Sequence, residues 1–194
     1  MTAMNPTTKR PPRTQGELRK AADHVNYEIA TLVYAGEKLA ARPAGSDGDI
    51  ALESFLLHFR NLRAFLCPTK QRLGDDDVIA SDFLNERKGR DLGDWTFLQE
   101  HKGKLDKMLA HITYARAVYI TSSQNQWDFG GMQELMLTEL EYFFSMLPAN
   151  VRTWFKDSEW MQNSVDRARV LKRCIGAFAT ASDSGPSPLI RVQP

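Results

Sequence analysis

The chain has 194 residues, 42% of them hydrophobic, and a formal net charge of +1. That size and apolar content suffice for one buried core and favour one domain over two, while the near-neutral balance gives no general attraction to nucleic acid or a membrane surface. Cys67 and Cys174 are too few and too distant for a disulfide framework and form no CxxC pair, so reduced thiols and a cytoplasmic location are expected.

Residues 1 to 13 combine Pro6, Pro11 and Pro12 with threonines and Lys9, Arg10 and Arg13, a composition that reads as a flexible basic leader. No apolar h-region follows Lys9 and Arg10, so no signal peptide is expected. Thr14-Gln15-Gly16-Glu17 matches a capping box and predicts the start of the first helix. Leu18, Ala22, Val25, Ile29, Leu32, Gly36 and Leu39 then form one apolar seam at helical spacing, which Pro43-Ala44-Gly45 ends. Asp47 or Asp49 is the expected cap of the second helix, roughly 49 to 67. Its stripe is Leu52, Phe55, Leu56, Phe59, Leu62 and Leu66, Pro68 stops it, and it should lie antiparallel to the first.

Asp75-Asp76-Asp77 precedes a short segment, 78 to 84, that reads as a small inserted helix, with the aspartates complementing its dipole. Residues 85 to 98 read as a long loop pinned by Trp95 and Phe97. A third helix is predicted over 99 to 120, burying Leu105, Met108, Leu109, Ile112, Ala115 and Tyr119. A fourth is predicted over 129 to 146, burying Met132, Leu135, Met136, Leu140, Phe143 and Leu147, with Pro148 closing it. After a turn around Val151 to Phe155, an amphipathic helix is expected over 158 to 180, and 182 to 194 reads as a loose tail. The expected fold is therefore all-α: an up-down bundle of four main helices, a short insertion and a C-terminal amphipathic helix, with 14 to 181 as one domain. The most apolar stretch, 55 to 67, is broken by His58, Arg60 and Arg63 and falls short of the roughly 20 apolar residues that cross a bilayer.

Two helices carry side chains capable of chemistry. On the second, His58 and Asn61 are spaced to share a face, near Glu53 and Arg60. On the third, Lys107, His111 and Tyr114 lie together, with Arg116 to one side. One reading makes His58 a half-buried histidine bonded to a carbonyl or carboxylate, with Glu53 and Arg60 in structural pairs. The other brings His58 and His111 into one polar pocket of the bundle, where two imidazoles and Arg60 or Arg116 handle proton transfer beside a phosphate. A metal site would need three histidines, or two with a carboxylate, and the nearest further candidates are His101 and the aspartates Asp75 to Asp77 and Asp82. Without an HExxH or Glu-x-x-His pair, no metal is expected. No phosphate-binding glycine loop is present: Gly45-Ser46-Asp47-Gly48 lacks a lysine and Gly130-Gly131 lacks a preceding strand. Arg167, Arg169, Lys172 and Arg173 near Trp160 offer a small basic surface for nucleic acid or an acidic partner, or simply a solvated helix face.

Leu105-Asp106-Lys107-Met108-Leu109-Ala110-His111 resembles the Arg-Asn/Asp-Lys-x-x-Ala-His motif of the HEPN superfamily, matching at Asp106, Lys107, Ala110 and His111 and departing where Leu105 replaces the arginine. The stretch around Leu52 to Leu62 is similar to segments of bacterial bundle proteins of this kind, and the resemblance covers about residues 17 to 147. It implies a helical homodimer with an RNA-related or defence-related role. In active members the arginine and histidine of two protomers form a composite ribonuclease site, of which only His111 carries over here by residue match. Two functions are therefore expected from the sequence. One is a non-catalytic HEPN-like binding or scaffold protein, with RNA or an acidic protein as partner through Lys107, Arg167, Arg169, Lys172 and Arg173. The other is a metal-independent ribonuclease using His111, Arg116, His58 and Arg60. Neither calls for a cofactor.

Overall fold

The computed structural model of the protein describes residues 10–41, 45–68, 73–84 and 127–155, together with 103, 105, 109, 160, 163, 164 and 166. The fold is all-α: helices and turns make up the described residues, with no strand among them. Helix α1 spans Gln15–Ala40, α2 Ser46–Leu66, α3 Phe129–Met146 and the single turn α4 Ala149–Arg152, with a 3-10 turn at Ala80–Phe83. Residues 103, 105 and 109 are helical, as are 160, 163, 164 and 166, within the two further helices expected from the sequence; the remainder of those helices, the loop over 85 to 98 and the tail lie outside the described residues. Among the described residues no helix is long and apolar enough to cross a membrane.

The capping box that starts α1 is present. The Thr14 hydroxyl accepts from the Glu17 N–H at 3.3 Å, and the Glu17 carboxylate accepts from the Thr14 N–H at 2.8 Å. That backbone donor, and then the Thr14 hydroxyl, hold the Glu17 carboxyl below its ordinary pKa, with Arg13 and Lys20 adding to the effect. The predicted seam is the buried face: Ala22, Val25, Ile29, Leu32, Gly36 and Leu39 are buried and Leu18 packs at the edge.

Helix α2 begins at Ser46, earlier than the sequence suggested, and neither Asp47 nor Asp49 caps it. The N-cap is Gly45, whose φ of 60° reverses the chain where a side chain would be strained. Both aspartates fall inside the first turn, where they complement the dipole. α1 and α2 pack along their length on either side of the short 41–45 connection, and α3 packs against both. Met132, Met136, Leu140 and Phe143 of α3 are fully buried among Phe55, Phe59 and Leu62, so the methionines fill the core as expected. Asp128 caps α3 by accepting from the Gly131 N–H at 2.9 Å. A β-carbon on Gly131 would lie 2.3 Å from that carboxylate, which explains the glycine.

The 73–84 segment differs most from expectation. Its helix is a single 3-10 turn, and the residue that satisfies its N-terminus is Asp82, which accepts from the Ile79 N–H at 3.2 Å. Asp75, Asp76 and Asp77 instead belong to the preceding turn, where Asp77 accepts from the Gly74 N–H at 2.6 Å. Aspartate next to glycine favours such a local turn over helix initiation. Phe83 anchors the segment, meeting Phe65, Phe143 and Phe155 edge-on at centroid distances of 6.0, 6.3 and 5.3 Å, a geometry suited to the ring quadrupoles.

Candidate functional site

Helices α1 and α2 carry a polar cluster at the edge of their apolar interface. His58 Nδ1 lies 2.6 Å from Glu28 Oε2, and Asn61 Nδ2 donates to the same oxygen at 3.1 Å. An ionised carboxylate only accepts, so Nδ1 carries the proton and donates. The Tyr27 ring meets the imidazole edge-on at 5.6 Å. His58 is 7% exposed, which makes it more buried than the half-buried residue predicted. Its partner is a carboxylate, one of the two partner types that the structural reading of the sequence allowed.

The helical register explains the arrangement. His58 and Asn61 are three residues apart and share the face of α2 that meets α1. Glu28 lies on the border of the α1 seam, three residues after Val25 and four before Leu32, where a polar side chain reaches across to a neighbouring helix. That border position was the available signal for Glu28, which the sequence reading missed together with Tyr27. Arg60 sits about 200° around the axis from His58, since each residue turns an α-helix by about 100°. The two side chains therefore leave α2 in different directions. Arg60 is half-buried and has an interaction partner of its own.

Chemically, the cluster holds one imidazole in a fixed orientation with Nδ1 committed, leaving Nε2 as the other ring nitrogen. This is how a carboxylate orients a histidine base, and it is equally a charge-assisted staple between two helices. Among the described residues no group of three histidine, cysteine or acidic side chains is placed to hold a metal ion. Leu105, where the sequence departs from the motif it resembles, is fully buried in the core. His111, Arg116, Lys107, Arg167, Arg169, Lys172 and Arg173 lie outside the described residues, and so does the expected pairing of His58 with His111.

No family model, curated protein or solved structure matches the chain.

Proposed function

We propose that the protein is a non-catalytic binding or scaffold protein of HEPN-like type. In this reading it acts as a homodimer in the cytoplasm, with RNA or an acidic protein as its partner. The observation that carries this reading is the engagement of Glu28 by His58 and Asn61 at the α1/α2 interface. It gives His58 a structural role as a staple between two helices. The burial of Leu105 adds to it, because a core leucine cannot contact phosphate. Partner binding then falls to Lys107, Arg167, Arg169, Lys172 and Arg173, whose contribution should weaken steeply with salt.

The test incubates purified wild type and His111→Ala with a mixed RNA pool in the presence of chelator, checking the mass and folding of both proteins in parallel. Neither protein should cleave. RNA retention by the wild type should fall with salt and on reversing Arg169 and Lys172 to glutamate. Cleavage by the wild type alone would overturn the reading in favour of a metal-independent ribonuclease, with His111 as acid or base and Arg116 or Arg60 stabilising phosphate charge.

A further inference from the structure

The hairpin of α1 and α2 presents an apolar outer face. Four large apolar side chains lie exposed on it: Tyr27 (61%) and Tyr34 (58%) on α1, and Ile50 (65%) and Leu57 (43%) on α2. Each pair is spaced by two turns and so forms a stripe along its helix. Tyr27 and Leu57 each stand two residues from a buried core residue, Ile29 and Phe55, which turns them roughly 160° away from the core. The Tyr27 ring also reaches α2, where it meets His58 beside Leu57, so the two stripes make one surface. Between the tyrosines, the Thr31 hydroxyl donates back to the Tyr27 carbonyl at 2.9 Å and is satisfied within the helix.

The flanks of the α1 stripe indicate what covers this surface. Asp23 stands one turn before Tyr27 and Lys38 one turn after Tyr34, both exposed and on the same face. Lys38 Nζ lies 5.1 Å from the centre of the Tyr34 ring, which keeps its charge at that end of the stripe. The order along α1 is thus acid, ring, ring, base, symmetric in spacing about a midpoint between Ala30 and Thr31. When two such helices run antiparallel about a two-fold axis at that midpoint, Tyr27 meets the partner's Tyr34 and Asp23 meets the partner's Lys38, and the symmetry makes each pairing twice. On α2 the midpoint of Ile50 and Leu57 lies between Glu53 and Ser54, roughly 3 Å from the same height in the hairpin, so one axis serves both helices. It sets Ile50 against the partner's Leu57, and Glu53 against the partner's Ser54 rather than another acid. Since a buried aromatic ring covers about 150–250 Å2, the four side chains offer on the order of 400 Å2 per copy. That is about half of the roughly 800 Å2 each partner gives to a stable interface, with the polar flanks completing a rim.

We infer that the outer face of the α1/α2 hairpin is an isologous interface with a second copy of this chain. The assignment rests on the homodimer of the proposed reading and gives it a surface and a register. The test is sedimentation equilibrium of the full-length chain over a range of concentrations, with folding checked by circular dichroism, for wild type, Asp23→Lys, Lys38→Asp, the two combined, and Leu57→Lys on the other helix. Wild type should reach the dimer mass. Each single reversal opposes like charges at two places and should weaken the dimer at least about tenfold, whereas the combined variant exchanges the signs and should return to within about threefold of wild type. Leu57→Lys, which puts a charge in the apolar centre, should dissociate the dimer and keeps the test open if a reversal variant does not fold. A wild type that stays monomeric would overturn both the interface and the homodimer. A dimer indifferent to the reversals and to Leu57→Lys, or single reversals that the combination does not rescue, would overturn the interface while the homodimer stands.

Discussion

Gln133 of α3 fills the space that a β-carbon on Gly36 of α1 would need: a carbon built there lies 1.7 Å from Gln133 Oε1. Gln133 is 2% exposed and its Nε2 has no hydrogen-bond partner. Gly36→Ala gains about 1 kcal/mol of helix propensity, but it must displace a buried amide, and overpacking of this kind costs about 1–3 kcal/mol. Urea unfolding should show a net loss of stability in wild type and a gain when the same change is made on a Gln133→Ala background. Equal effects on the two backgrounds would show that the residues are not coupled.

Glu28 should matter to stability. Glu28→Ala leaves His58 Nδ1 and Asn61 Nδ2 without their acceptor, and hydrogen bonds to a charged group are worth about 1.5–3 kcal/mol. Glu28→Gln, which keeps an acceptor oxygen, should lose less. If denaturant melts place Glu28→Ala within about 0.5 kcal/mol of wild type, the range of ordinary surface changes, the cluster is not a staple.

The Glu17 carboxyl titrates below its ordinary value of 4.5 because it accepts from Thr14. A lowered folded pKa contributes stability that is present above the unfolded value and is lost as pH falls through the folded one. Glu17→Gln should therefore melt below wild type at neutral pH, and the two curves should converge in acid beneath the lowered pKa. A difference that persists unchanged at the lowest pH would assign the effect to something other than the carboxylate.

Glu139 shows the opposite sign. Burial on α3 raises its carboxyl above 4.5, so its favourable contribution is complete below that value and is lost as pH rises through the folded pKa. Glu139→Gln should be more stable than wild type at neutral pH and level with it in acid. A destabilised Glu139→Gln at neutral pH would contradict the desolvation argument.

The helices written in apolar periodicity were legible in the sequence. Thr14 and Glu17 marked the start of α1, and Phe129 to Met146 was bounded correctly because its stripe ends at a proline. The start of α2 was obscured because Gly45 carries the reversal in its backbone angle, leaving no side chain to signal it. At the 73–84 segment, a run of aspartates reads alike whether it caps a helix or folds on its own turn. The candidate site was half legible. The shared face of His58 and Asn61 follows from spacing within one helix, whereas their bond to Glu28 depends on the register between two helices. Arg10 and Asp82 meet across 72 residues of chain, a pairing that no local pattern encodes.

The short connection through Gly45 also bears on the order of folding. The α1/α2 interface closes across a few residues, so its loop entropy is small, whereas bringing Phe83 against Phe143 and Phe155 requires a far longer closure. On loop entropy alone, the α1/α2 interface with its Glu28–His58 contact is the least costly part of the fold to close, ahead of the Arg10–Asp82 pairing across 72 residues.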